Sequence, residues 1–398
     1  MTAPLGHFEE RFWPGEPAAY GGGRARRGGV YRAFVPDSIA SREFSFGGEA
    51  SAMLNQAAKE LAGVAGDPPR RGQLGAVAQN LLRSESVASS RIEGVVISHK
   101  RLARAEFEGG RQRADGKAAE VLGNVEAMKR AIELGEKAAP FHLDDVLEIH
   151  RTLLRHTDDR EIAGVIRTEQ NWIGGNNYNP VGAVYVPPPP EYVQGLMEDL
   201  CRFVDRDDMP PVAQAAIVHA QFENVHPFAD GNGRAGRALI YTVLRRKGEI
   251  GSYVPPISLV LGSEPKTYVA GFGAYSQGDV SAWCATFAAA TVRAARGACA
   301  FAETIERRQQ EWLERLGNPR RDAVVRQLVD VLPEQPVIDV AVAQRLTGKS
   351  HVAVGNAFSQ LEGAGILVRL NERKWGRVWE CAELLELVDE FEESVSTP

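Results

Sequence analysis

At 398 residues, with 44% apolar and 25% charged side chains, the chain has the composition of an ordinary soluble globular protein and enough length for two or three domains. A net charge of −6 argues against a protein that coats nucleic acid or a membrane surface, and no segment reaches the roughly 18 uninterrupted apolar residues of a membrane span. Cys201, Cys284, Cys299 and Cys381 are scattered without CxxC spacing and read as reduced and mostly buried. Met1 to Pro14 lacks a basic-then-apolar leader pattern, so a cytoplasmic location is the default expectation.

Taken in chain order, Gly21 to Gly29 is a Gly/Arg run that reads as a flexible surface segment, since it has too little apolar surface to offset the entropy of ordering. Helices are predicted over Glu49–Leu61 and Gln73–Ser89, the second with Leu74, Val77, Leu81 and Leu82 near helical spacing. That second helix runs into Ser89-Ser90-Arg91-Ile92-Glu93-Gly94, which by itself reads as a helix end with Gly94 as the stop. Glu120–Gly135 and Leu143–Arg155 are amphipathic, and His150, among apolar neighbours, reads as a partly buried structural histidine. A Gly/Asn-rich turn precedes Val184-Tyr185-Val186, whose β propensity suits a short hairpin, and Pro187 to Pro190 end any pairing. Further helices are predicted over Glu191–Phe203 and Val212–Asn224.

The stretch that follows, His226-Pro227-Phe228-Ala229-Asp230-Gly231-Asn232-Gly233-Arg234-Ala235-Gly236-Arg237, carries the chemistry. Gly231 and Gly233 permit φ > 0 and a close approach of the backbone to a ligand. A helix starting near Gly233 offers unpaired N–H groups and a positive dipole end to an anion. Arg234 and Arg237, three apart, share one face of its first turn and suit phosphate oxygens. Asp230 is a hard oxygen donor suited to Mg²⁺ on those phosphates. His226, with an ordinary pKa near neutrality, suits a proton acceptor for an incoming hydroxyl.

These twelve residues resemble the signature of the Fic (filamentation induced by cAMP) family, His-x-Phe-x-(Asp/Glu)-Gly-Asn-Gly-Arg-x-x-Arg, and match it at every specified position. The resemblance implies a mainly α fold with a Fic-type helical core and a small β-hairpin flap. The implied activity is transfer of AMP from ATP to a hydroxyl side chain of a target protein. His226 would then be the base and Asp230 the Mg²⁺ ligand, with Gly231, Asn232, Gly233, Arg234, Gly236 and Arg237 binding the nucleotide. The target would dock along the flap near Val184-Tyr185-Val186. Tyr31 to Pro36 is similar to the opening of the Fic N-terminal region. Ser89, Glu93 and Gly94 resemble the Fic inhibitory motif, (Ser/Thr)-x-x-x-Glu-(Gly/Asn), in the subclass that carries it before the core. A Glu93 carboxylate paired with Arg237 would occupy the guanidinium needed by the γ-phosphate.

Ser281–Arg308 is a long Ala-rich helical stretch, in which Trp283 and Phe287 read as core. From Pro319 the composition shifts. Helices over Asp322–Val331, Asp339–Leu346 and Ser350–Gly365 precede strands at Ile366–Leu370 and Arg377–Glu380 around a polar tip, Asn371 to Gly376. That order resembles a C-terminal winged helix-turn-helix domain. From Arg320 to Pro398 nine Lys/Arg face thirteen Asp/Glu, and Ser350 to Gly363 has neither Lys nor Arg, which argues against specific DNA binding and for a protein-interaction role. The predicted organisation is residues 1–110 with the inhibitory helix, 111–310 as the catalytic core and 319–398 as the winged helix. Three alternatives stay open: removal of AMP by the same site, transfer of another phosphate-containing group, and a nucleotide-sensing transcriptional regulator. A homodimer is compatible with the resemblance, and no membrane partner is expected.

Overall fold

The structure is a computed structural model that describes residues 3–15, 28–66, 68–108, 116–251, 253–371 and 376–397. All of the predicted Gly/Arg run but Gly28 and Gly29 lies outside the described residues, as do residues 372–375 of the polar tip, Arg373 and Lys374 among them. In chain order the elements open with strands β1 (Gly6–Trp13) and β2 (Gly29–Pro36). Helices α1 (Gly48–Gly66), α2 (Pro68–Ile92), α3 (His99–Glu108), α4 (Gly116–Gly135) and α5 (Leu143–Leu153) follow. Then come α6 (Pro190–Val204), α7 (Pro211–Val225), α8 (Asn232–Arg246), α9 (Ile257–Ser263), α10 (Pro265–Ser276) and α11 (Val280–Arg315). The C-terminal elements are α12 (Val324–Val331), β3 (Val337–Asp339), α13 (Val340–Thr347), α14 (His351–Gly363), β4 (Val368–Arg369), β5 (Val378–Glu380) and α15 (Ala382–Ser396). The fold is mainly α, as predicted. Among the described residues no helix is long and apolar enough to cross a membrane.

Two compact units are formed, each from three separate stretches of chain. The first comprises Met1–Ala58, Glu126–Gly248 and Pro265–Ala289. Its centre is α7, which starts on Pro211, where the missing N–H costs nothing. Nearly all of α7 is buried, including its polar residues Gln214, His219, Gln221 and Asn224. Each of these has a partner, as buried polar groups require. Gln214 Nε2 donates to the carbonyls of Phe203 and Arg206 at the end of α6, at 2.8 and 2.9 Å. Gln221 accepts from Tyr275 Oη at 3.0 Å, and Asn224 donates to Ser276 Oγ at 2.9 Å. Trp283 Nε1 donates to the Ala216 carbonyl at 2.7 Å, so Trp283 and Phe287 are core residues. These bonds fix α7 along its length.

The amino-terminal segment carries an element that the sequence reading did not foresee. Residues 6–13 form β1, which pairs antiparallel with β2 from Gly6↔Pro36 to Trp13↔Gly29. Pairing over the full length satisfies the backbone groups that face β2, so its charged residues do not prevent strand formation. The hairpin adjoins the flap region: Phe34 N–H donates to the Val186 carbonyl at 2.9 Å, and Trp13 packs edge-on to Trp172. The flap itself is less regular than a hairpin. It holds one antiparallel bridge, Ile173↔Tyr185, beside which Val184 is 83% exposed.

The second unit comprises Lys59–Val125, Glu249–Glu264 and Ala290–Pro398. Its α2 buries a run of polar residues, Ser84, Glu85, Ser86, Ser89 and Ser90. Glu85 accepts from the Ser258 N–H at 2.8 Å at the start of α9 and from the Ser258 hydroxyl. Asn80 and Arg83 donate to the carbonyls of Pro333 and Glu334 at 2.7 and 3.1 Å. Glu392 of α15 pairs with Arg91 at 2.9 Å and with His99 at 2.6 Å. The helix ends in a Schellman turn: Val95 N–H reaches the Ser90 carbonyl, Gly94 N–H the Arg91 carbonyl, and Gly94 takes φ 81°. In the same unit β3, β5 and β4 form a three-stranded sheet in that order, with β5 antiparallel to both neighbours. Asp339 caps α13 by accepting from the Val342 N–H at 2.8 Å, and Ser350 caps α14 through the Ala353 N–H at 3.3 Å. The sequence reading missed α3, β3 and α15. Three residues are too few to show a strand pattern, and the charge density of α3 and α15 obscures their apolar stripes.

Candidate active site

The loop between α7 and α8 begins with a conformational break. His226 closes α7 in the left-handed region, φ 49° and ψ 62°, a geometry that costs a non-glycine residue about 1–2 kcal/mol. Neighbouring groups hold it there. Arg167, buried, donates Nε to the His226 carbonyl at 2.8 Å and Nη2 to the Pro188 carbonyl at 2.5 Å. Its backbone N–H donates to the Pro227 carbonyl at 2.9 Å. Tyr185 Oη donates to the Asn224 carbonyl at 2.6 Å. A cation and a hydroxyl thus satisfy carbonyls at the negative end of α7. Burial lowers the Arg167 pKa to about 10, which leaves it charged at neutral pH.

The rest of the loop is fixed in the same manner. Asn232 closes a reciprocal pair with Phe228, accepting from its N–H and donating to its carbonyl, both at 2.8 Å. Asn171 Nδ2 donates to the same carbonyl at 3.0 Å. His150 stacks on the Phe228 ring, centroids 3.7 Å apart and 2° from parallel. It accepts from the Gly164 N–H at Nδ1, 2.9 Å, which makes Nε2 the donor to the Asp230 carbonyl, also 2.9 Å. Burial depresses the His150 pKa to about 4, so the ring is neutral. The sequence reading of His150 as structural describes what is found, with the addition that it holds the loop.

Carbonyls of residues 226, 227, 228 and 230 are therefore all bound by the scaffold. What remains for a ligand is the opening of α8, where the first N–H groups have no acceptor within the helix. Gly231 has φ 76°, and a Cβ there would meet Leu153 at 3.1 Å and His150 Nε2 at 3.2 Å. Asp230 points outward, its side chain 59% exposed and 3.4 Å from Arg234 Nη2. Arg237 is almost fully buried, and Gly236 lies where α8 crosses Phe222 and Glu223 of α7. The Asn232 side chain is engaged with the loop, so Asn232 and Gly233 offer a ligand their backbone.

The structure thus brings His226, Asp230, Gly231, Asn232, Gly233, Arg234, Gly236 and Arg237 together in the first unit. Ser89 is buried near the end of α2 in the second unit, and Glu93 and Gly94 form the exposed turn after it. The sequence reading did not assign Arg167, Asn171, Tyr185 or Glu223 to the site. Their bonds go to backbone or across helix turns and leave no local motif. Among the described residues no group of three or more His, Cys, Asp or Glu could hold a metal by itself. An exposed Asp230 beside an anion-receptive helix start fits the other mode of binding Mg²⁺, through one carboxylate and substrate phosphates.

The Fic/DOC family model matches residues 140–244, and the Fic/DOC family N-terminal model matches residues 51–133. Over these two stretches the chain is similar to the Fic family. Protein adenylyltransferase fic-1 of Caenorhabditis briggsae is 33% identical over 138 residues, which cover 34% of this chain and 24% of that protein. Protein adenylyltransferase Fic of Drosophila ananassae is 33% identical over 165 residues, 40% of this chain and 30% of that one. The chain thus spans less than a third of the length of these curated relatives. A Fic family protein from Desulfovibrio desulfuricans G20 superposes with a TM-score of 0.51 at 20% identity, covering 85% of this chain and 97% of its own. A segment of Fic-1 from C. elegans gives 0.52 at 23% identity, covering 64% and 73%. At these identities the likeness concerns the fold.

Proposed function

We propose that the protein is an adenylyltransferase that moves AMP from ATP to a hydroxyl side chain of a target protein. The observation that carries this reading is the loop in which scaffold groups bind the carbonyls of residues 226, 227, 228 and 230. Freed of competing carbonyls, the start of α8 with Arg234 and Arg237 is prepared for a triphosphate. In the reaction, the target oxygen attacks the α-phosphorus as its proton passes to His226 Nε2. The bond from that phosphorus to the bridging oxygen breaks, and pyrophosphate leaves with the bond electrons. Asp230 would hold Mg²⁺, whose charge would offset that of the phosphates.

Glu93 is proposed as a brake on this reaction, through competition of its carboxylate with the γ-phosphate for Arg237. Support comes from the motif at the end of α2 and the turn that presents Glu93. The exposed edge near Val184 supports docking of an extended target segment by main-chain bonds. The order of α12, β3, α13, α14, β4 and β5 supports a winged helix-turn-helix. The absence of Lys and Arg from α14 favours protein contact over base readout. Intact-mass measurement with Mg²⁺-ATP tests the whole reading. Wild type should gain little AMP, Glu93→Gly more, and Glu93→Gly with His226→Ala none. Equal labelling of all three would refute it.

A further inference from the structure

We infer that Glu223 is the positioning carboxylate of the transfer site, holding the His226 ring through Nδ1 so that Nε2 faces the incoming hydroxyl. The inference rests on the reading of His226 as proton acceptor and adds the group that prepares it. Glu223 lies on α7 one turn before His226, its side chain only 13% exposed, with Oε2 4.0 Å from His226 Nδ1. Its other oxygen, Oε1, is 4.0 Å from Nδ1 of His219, one turn earlier. The carboxylate therefore lies between two imidazoles. At 4.0 Å the carboxylate is near enough to act on the ring's charge, and catalytic hydrogen bonds are often long before the reacting complex forms.

The two imidazoles differ in their capacity for charge. His219 is fully buried, with Nε2 2.6 Å from Tyr268 Oη, and burial together with the nearby Arg237 cation takes its pKa down to about 3. It stays neutral at any working pH. His226 lies at the loop, where the carbonyl end of its residue is fixed by Arg167. The charge of Glu223 is thus directed at the one ring that must become positive. The other charged groups of the loop, Asp230 and Arg234, face one another at the head of α8.

Gly236 of the signature makes this placement feasible. A Cβ at residue 236 would come within 2.9 Å of Glu223 Oε1 and 2.8 Å of Phe222 Cδ1, so a hydrogen there leaves room for the carboxylate. Within the reaction, the proton goes from the target hydroxyl to Nε2 and the ring gains the charge. Glu223 takes up no proton; it fixes the tautomer with hydrogen on Nδ1 and stabilises the imidazolium.

The test uses the full-length protein, in whichever of wild type or Glu93→Gly transfers AMP faster. Glu223→Gln should bind ATP with unchanged Kd and transfer about 10-fold more slowly at neutral pH. The acid limb of its kcat/KM profile should move down by about one pH unit, since an opposing charge within ~4–6 Å has been removed. Glu223→Asp keeps the charge and should keep the wild-type acid limb, whatever its effect on rate or melting temperature. An unmoved acid limb in Glu223→Gln, or a displaced one in Glu223→Asp, would overturn the inference. Wild-type transfer by His226→Ala would instead bring down the reading beneath it.

Discussion

The Arg167 guanidinium donates Nε to the main-chain carbonyl of His226 across 2.8 Å, fixing a left-handed residue by its backbone. Strain at a site persists only where the surroundings over-determine it, and here a buried cation does so. Arg167→Met should therefore lower stability by about 2–4 kcal/mol in urea unfolding, because charged hydrogen bonds are lost and carbonyls are left buried. Arg167→Lys, which cannot reproduce the fork, should recover less than half of AMP transfer by intact mass.

Gly231 tests the cradle. Its φ of 76° and the tight approaches to Leu153 and His150 predict that Gly231→Ala loses at least 1–2 kcal/mol, an estimate of about the cost of the left-handed region alone. Nucleotide affinity should fall with it, measured by titration of a fluorescent ATP analogue. Retained affinity would show that the loop's path is not what binds phosphate.

Asn232 makes both of its loop bonds with the Phe228 backbone. Asn232→Asp keeps the shape but sets a carboxylate oxygen against the Phe228 carbonyl. The expected result is a lower melting temperature and an ATP affinity weakened by about 10-fold, near the 1.4 kcal/mol of one lost bond.

The buried imidazoles set a pH dependence with a definite sign. From an ordinary value of 6.5, burial takes His150 to about 4 and His219 to about 3. As pH falls below 6.5 the unfolded chain takes up these protons while the folded protein does not. Stability is thus complete above about 6.5 and declines as pH falls below it, levelling off near 4 for His150 and near 3 for His219, where the folded protein also takes up the proton. The loss at pH 5 relative to pH 7 should be about 2 kcal/mol per imidazole. His150→Gln should make the slope of unfolding free energy against pH shallower over this window; an unchanged slope would contradict the neutral buried ring.

Legibility in the sequence followed the range of each interaction. Most helices near the site were visible because apolar periodicity is local. Gly94 was legible as a helix stop for the same reason, as was the signature loop, whose parts are contiguous. Arg167 was not legible. It lies 59 residues from His226 and bonds to a carbonyl, an atom that every residue has. Glu223 passed for part of an apolar helix because its meaning depends on a histidine that the next turn brings round. The flap shows a different limit. Val184-Tyr185-Val186 has strand propensity, yet Gly174, Gly175 and Gly182 take positive φ within the loop that one bridge, Ile173↔Tyr185, closes. Their turns divert the chain before a ladder can extend.

The bonds of α2 have a bearing on how the protein can be dissected. Asn80 and Arg83 reach the carbonyls of Pro333 and Glu334, and Arg91 and His99 share the carboxylate of Glu392. Phe391 stacks on Phe301 with centroids 4.6 Å apart. Excision at the composition shift near Pro319 would strip all of these partners at a stroke. A shortened chain would leave Arg91 without the Glu392 carboxylate at the end of α2, and Phe301 without the ring that covers it. Altered labelling by such a fragment would report the loosening of that helix as much as the missing module.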